Sequence, residues 1–454
     1  MTQSTEAPDT TPETPRGGTP GLPPVRAGLA ETVRFAATHT LPAVARGVID
    51  PRFAVLALYS RVNQSAWSSA TLRAMRTRHR GAPVMVRGLS GQVLVLFDQA
   101  DVRRFFEEPV SDLAMDADDK SKTLSVFEPT GVICSHGQVR EDRRRVNDHA
   151  LAADQPVHPS CAEFLTVVEE ECRRLTSRTV VGFPLLWKTM TRISRRVVFG
   201  DQASDDQELS DWLATLRRQA NWMGRSKPDA AKALYARIEA RITRYAADAP
   251  AHTLAARALA DPAPEGTDPL GQTHHWLLGI DLATPVVART LLLLAHHPAE
   301  QDAAHAEAAG RVPGLPRLRA CLEESVRLYP LVSDLVRVTR TETEWGGVRY
   351  PAGTDVLVPI GFHQRDPKQV DGAHLFAPGR WLVPDAQRDT RMGPFSHGGA
   401  RCPGEYVALL LTSLVCAEVL RGHRLTGARP VLDPGRPLPG ILDTAGIRLR
   451  LGRV

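Results

Sequence analysis

One cysteine sits in a setting suited to chemistry. Phe395-Ser-His-Gly-Gly-Ala-Arg-Cys402-Pro-Gly404 surrounds a single sulfur with glycines and a proline, and a long apolar run to Cys416 follows directly. The pattern predicts an ordered loop that presents one sulfur and then enters a buried helix. Gly398, Gly399 and Gly404 permit backbone positions closed to residues with a side chain, and they let a flat ligand approach closely. Backbone N–H groups near a helix start can point at the sulfur and stabilise a thiolate. Taken alone, the stretch also admits a lesser reading, a loop holding a structural or free cysteine.

Three other sets of residues carry charge where charge is costly or patterned. The segment His275 to Leu294 is apolar on nearly all sides, which predicts a buried helix. Asp281 inside it needs a partner or water and is a candidate for proton relay, and Thr284 is a second candidate. Pro285 removes a helix hydrogen bond and is expected to bend the helix, swinging Thr284 inward; the alternative for Thr284 is a hydroxyl bonding back to a helix carbonyl. Arg140 and Arg144 are four apart on a basic helix and share a face, an arrangement suited to carboxylates or to a solvated basic surface. Arg143 and Arg145, on the same stretch, are candidates for facing an acidic partner. Glu324 and Arg327 are three apart on another helix face.

The elements that must position these groups are mostly helical. Residues 1–26 are rich in Thr, Pro, Gly and Glu and read as a disordered leader, with one domain over 27–454. A hairpin is expected at Val84–Phe97, then a helix capped by Asp98. Helical patterns dominate from Ala162 to about residue 260, with Trp187, Trp212 and Trp222 read as core. Residues 337–359 read as short strands with turns at Gly346-Gly347 and Pro351-Ala-Gly353, and the chain closes with further strands and a turn at Leu438-Pro-Gly-Ile441.

Composition narrows the function classes. The chain has 454 residues, 43% hydrophobic and 24% charged, as a globular protein should. A net charge of +5, with arginines dispersed among acids, argues against nucleic acid as a partner. The six cysteines show no paired spacing, which suggests a reducing compartment. There is no signal-peptide pattern, nor an uninterrupted apolar run of membrane length, so a cytoplasmic location is expected.

Together these stretches resemble the cytochrome P-450 family. Phe395, Gly398, Cys402 and Gly404 fit the family's cysteine loop, while its basic position holds Ala400 and the arginine stands one later, at Arg401. Arg140 and Arg144 match its His-x-x-x-Arg helix; a second register pairs His136 with Arg140. Gly279 and Asp281 fall on its Gly-x-Asp/Glu-Thr motif, with Leu282 in place of the threonine that helps deliver protons. Glu324-x-x-Arg327 with Arg380 resembles its structural clamp. Over roughly residues 80–454 the resemblance implies a mainly α fold, a helical prism with a smaller β-rich lobe.

It further implies haem b bound through the Cys402 thiolate. Phe395, Gly398, Arg401, Arg337, Arg140, Arg144 and Gly279 are its expected cofactor contacts, and Gly224–Pro228 the loop of a lid over the substrate. The implied activity is that of a monooxygenase or oxidase acting on a small or medium organic metabolite, a monomer fed by a ferredoxin-type electron donor. Two alternatives stay open: a peroxygenase using hydrogen peroxide, because Thr284-Pro285-Val-Val-Ala and Arg401-Cys-Pro-Gly-Glu405 also resemble the peroxide-using branch, and a haem-binding protein without oxygen chemistry.

Overall fold

A computed structural model describes residues 23–88, 91–221, 228–311 and 314–454. Helices form most of it, and one continuous apolar core runs through them, from Leu124 and Phe164 to Leu449 and Leu451. Its axis is the segment Thr273–Leu282 continued by Thr284–His296. This stretch is long and apolar enough to cross a membrane, with a mean hydropathy of 1.8, but 83% of its most apolar window is buried inside the protein. It is therefore the core helix of the fold. Helices Phe183–Phe199, Pro316–Leu328 and Glu405–Arg421 pack around it.

The smaller β lobe is a five-stranded sheet in the order Val84–Arg87, Gln92–Val95, Asp355–Val358, Leu335–Thr339, Leu113–Ala114. Its first pair is the expected hairpin, and Gln92–Val95 runs parallel to Asp355–Val358. Asp98 then caps Gln99–Glu107 by accepting from the Ala100 N–H at 2.8 Å. The expected turn at Gly346-Gly347 joins the antiparallel strands Thr343–Trp345 and Val348–Tyr350. Val180–Gly182, Arg448–Arg453 and His423–Arg429 make a second sheet near the C-terminus.

Three details depart from the sequence reading. Val25 and Arg26, assigned to the leader, join the sheet edge: Arg26 bridges Met85, and the Met85 N–H donates to the Val25 carbonyl at 2.9 Å. Trp212 packs against the main core as expected but is only partly buried, and it carries the guanidinium groups of Arg237 and Arg241 at 4.4 and 4.8 Å from its ring. An indole face attracts cations as well as apolar neighbours, so this tryptophan bridges core and surface. Trp222 and Gly224–Lys227 of the expected lid loop lie outside the described residues.

Candidate active site

The Cys402 loop is fixed by its own backbone and by two distant arginines. Cys402 N–H donates to the Phe395 carbonyl at 2.9 Å, closing the loop on itself. Phe395 packs against the main core. From the helix Gly137–Ala150, Arg140 donates to the Gly399 carbonyl at 3.0 Å and Arg144 to the Arg401 carbonyl at 2.8 Å. The i, i+4 spacing thus places both guanidinium groups along the loop. Gly398 is required: its φ is +64°, and a Cβ there would stand 2.0 Å from the Phe106 carbonyl oxygen.

The sulfur faces open space inside the protein. Cys402 keeps accessible surface although protein surrounds it, and burial pushes its thiol up to about 11, against the pull of the Gly404 N–H, Arg144 and Arg401. At neutral pH such a thiol ionises only when a cation binds it. The central helix also keeps one open face. Gly279 is accessible there, a Cβ built on it meets no atom within 4 Å, and Leu282 next along the face is partly open.

Two buried cations near this region lack the anions they need. Arg337 is 3% exposed. It donates to the Phe105 carbonyl at 2.5 Å and lies 4.3 Å from the Phe105 ring, and its Nη2 has no hydrogen-bond partner. Burial, then the charge of Arg140, holds it down at about 10. Arg140 Nε is likewise unpartnered. A donor left unpaired in the interior is costly, so a missing acceptor with negative charge fits here.

Arg401 is turned elsewhere. It makes a two-pronged pair with Glu405, at 2.6 and 3.0 Å, four residues on. Its guanidinium is thus occupied at the head of the helix Glu405–Arg421, and the expected cofactor contact is replaced by this local pair. Arg143 is also engaged inward, on the carbonyls of Gly266 and Thr267 and on Ser135. Arg145, 68% exposed, pairs with Asp142. His136, the alternative start of the basic pair, bonds Asp116 at 3.0 Å, so the register Arg140 with Arg144 is the one that reaches the cysteine loop.

The acid of the central helix points away from its open face. Asp281 is buried against helices Phe183–Phe199 and Gln207–Ala220, with Arg217 Nη2 3.6 Å from its carboxylate. Burial pushes its carboxyl up to about 6, outweighing Arg217. Arg217 is shared with Asp50 at 3.8 Å. The helix breaks at Ala283, as Pro285 requires. The inward swing expected for Thr284 does not occur: its hydroxyl donates to the Asp281 carbonyl at 2.7 Å and is fully buried. The reason is local. Position 285 would ordinarily supply the N–H for that carbonyl, proline has none, and the threonine hydroxyl fills the gap.

Beneath these elements, Glu324, Arg327 and Arg380 come together. Arg327 meets both Glu324 oxygens at 2.8 Å and donates to the carbonyls of Gln364, Ala373 and Leu375. Arg380 Nε lies 3.2 Å from Glu324, which also accepts from the Trp381 indole at 2.9 Å.

Sequence reasoning did not single out Lys120, Glu128, His275 or Arg217. His275 carried a legible signal, standing one turn before Gly279 on the same helix face. The other three lie on elements distant in sequence, and only the fold brings them to this helix.

Comparison with known proteins bears on the whole arrangement. Residues 279–436 match the family model for cytochrome P450. Cyclooctat-9-en-7-ol 5-monooxygenase of Streptomyces melanosporofaciens is 33% identical over 36% of this chain and 36% of the relative. Methyltetrahydroprotoberberine 14-monooxygenase of Papaver somniferum is 32% identical over 34% and 32% respectively. The matched part thus spans about a third of the length of these relatives. The solved structure of retinoic-acid-bound cyanobacterial CYP120A1 shares the fold, with a TM-score of 0.66 over 84% of this chain and 94% of that one at 18% identity. Haem is the cofactor that this fold family implies, and the residues present fit it: an accessible sulfur for iron, an unpaired donor on each of Arg337 and Arg140 for carboxylates, and open space over Gly279 for a flat ring. A cysteine loop held by two arginines, a core helix with one bare glycine face and a matching segment over residues 279–436 all lead to one assignment: the chain has the cytochrome P450 fold, and that segment matches the cytochrome P450 family model.

Proposed function

We propose that the protein is a haem-thiolate monooxygenase or oxidase that acts on a small or medium organic metabolite of secondary metabolism, as a monomer taking electrons from a ferredoxin-type donor. The observation that carries this reading is the accessible Cys402 sulfur, enclosed by protein and flanked by Arg337 and Arg140 with donors unpaired. Bound haem would supply oxidative chemistry at iron, with thiolate donation favouring O–O cleavage. The chain supplies the rest. Cys402 would hold the iron and Arg337 and Arg140 the propionates, while Arg144 fixes the loop by its bond to the Arg401 carbonyl.

Asp281 is the group proposed to hold and release a proton. Its raised pKa places the change within reach of neutral pH. Thr284 acts on it through the backbone, as a positioning residue for the helix break. Between the ordinary carboxylate pKa and about 6 the folded protein binds more protons than the unfolded chain, so stability falls as pH rises through this window. Asp281→Asn is expected to flatten that slope and to remove a rate dependence near pH 6. Parallel urea unfolding and turnover profiles measure both, and an unchanged rate profile would refute the relay.

Leu282 in place of the family's threonine favours a second reading, a peroxygenase supplied by hydrogen peroxide. The test is turnover of a metabolite panel with NADPH, ferredoxin and its reductase, against peroxide alone. Strict dependence on the electron donor supports the first reading. Activity with peroxide and no reductase supports the second, and no turnover with either would sink both.

A further inference from the structure

The open face of the central helix carries a titratable pair outside the machinery described above. His275 stands four residues before Gly279 and seven before Leu282, so the three share one face. Its side chain is 46% exposed, although protein surrounds it and most of the helix is buried. Nδ1 lies 2.8 Å from Glu128 Oε2. Glu128 is fully buried, and its other oxygen has no hydrogen-bond partner. Nδ1 is therefore committed, and Nε2 has no partner among the described residues.

The neighbouring charges leave this corner positive. Glu128 raises the pKa of His275 against burial and against Lys120. Lys120, on the helix Asp118–Leu124, has no ion-pair or hydrogen-bond partner among the described residues. Burial, then Arg337, holds it down at about 8. Asp116 is the next acid, but Arg340 at 2.6 Å and His136 at 3.0 Å occupy it. The Cys134 thiol, pushed up to about 12 by burial, stays neutral. Against the one Glu128 carboxylate stand two groups able to carry positive charge, His275 and Lys120, so this corner holds one cation more than it has counterions. A bland alternative is that the histidine merely satisfies Glu128. That accounts for Nδ1 but not for a second imidazole nitrogen and a nearby ammonium, both without acceptors among the described residues.

We propose that His275, oriented by Glu128 and flanked by Lys120, anchors a carboxylate group of the substrate over the Gly279 face. This rests on the haem-enzyme reading above and narrows its substrate to a carboxylic acid. An acid would meet a charge-assisted donor at Nε2 and a second cation beside it, whereas the matching ester would lose the ionic part.

The test uses the holoprotein and a ladder of probes, hexanoate through tetradecanoate and their methyl esters. Displacement of iron-bound water is followed in the main haem absorption band at slightly acidic pH. The best-fitting acid is expected to bind about tenfold or more tightly than its ester, the worth of roughly one charge-assisted hydrogen bond. His275→Phe should bring that ratio close to unity while ester binding and the thiolate signature persist, and Lys120→Gln should lower it by a smaller factor. If His275→Phe fails to hold haem, Glu128→Gln decides: it keeps an acceptor for Nδ1 but removes the charge, so the acid preference should be lost at lower pH than in the unaltered protein. Equal binding of acid and ester, a preference that survives His275→Phe, or a pH profile unmoved by Glu128→Gln would each overturn the anchor. Absence of a haem band in the unaltered protein would instead overturn the reading beneath it.

Discussion

Cys402→Ser is expected to abolish the thiolate absorption signature of the reduced carbon-monoxide complex and to reduce turnover to background, with the fold retained. Serine is close to isosteric with cysteine, and the bonds that shape the loop do not involve the sulfur: Cys402 N–H to the Phe395 carbonyl, and Arg140 and Arg144 to the carbonyls of Gly399 and Arg401. An alcohol, however, cannot act as the thiolate donor. No other cysteine stands ready to replace it. Cys172, Cys321 and Cys416 are buried in the core with thiols pushed up by burial. Cys134 and Cys161 are partly exposed but lie on other elements, and burial raises both thiols. Far-ultraviolet circular dichroism would check the fold, and the reduced carbon-monoxide spectrum the ligand. Retention of the thiolate signature in this variant would mean that another residue binds the iron.

The fold was legible wherever a local pattern has one physical cause. An all-round apolar segment can only be buried, and Thr273–His296 is. Asp98 before an amphipathic run is a cap, and it caps. Arg140 and Arg144 share a face because of helix geometry alone, and both reach the cysteine loop. What failed needed information about distant parts of the chain. Arg401 was read toward the cofactor, yet Glu405 one turn on offered a closer and better-oriented acceptor. Thr284 was expected inside, but the carbonyl freed by Pro285 claimed its hydroxyl first. Asp281 was recognised as needing a partner, and the partner, Arg217, comes from a helix more than sixty residues earlier. The His275–Glu128 pair spans a still longer separation, |i−j| = 147, which no window-based reading crosses.

The clamp beneath the site yields the other large effect. Arg327 and Glu324 are both fully buried. Each oxygen of Glu324 has at least two donors, from Arg327, Arg380, Trp381 and the Ala377 N–H. The Arg327 guanidinium in turn bonds three backbone carbonyls from the segment 364–375. Removing one partner of a buried pair leaves the other charge without compensation, a loss of about 3–5 kcal/mol, against a total stability of roughly 5–15 kcal/mol. Arg327→Ala is thus expected to give a protein that unfolds at much lower urea concentration and fails to retain haem. It strips Glu324 of its strongest donors and orphans three carbonyls at once. Arg327→Lys keeps the charge but not the fork, so its loss should be intermediate. Arg380→Ala should cost least of the three. Its side chain is 16% exposed and water can replace part of it, while Glu324 keeps Arg327, Trp381 and the Ala377 N–H. Urea midpoints together with the haem-to-protein absorbance ratio give the order. If Arg327→Ala proved as mild as Arg380→Ala, the clamp would be a surface-like pair, and the tie between the helix Pro316–Leu328 and the segment leading to the cysteine loop would have to lie elsewhere.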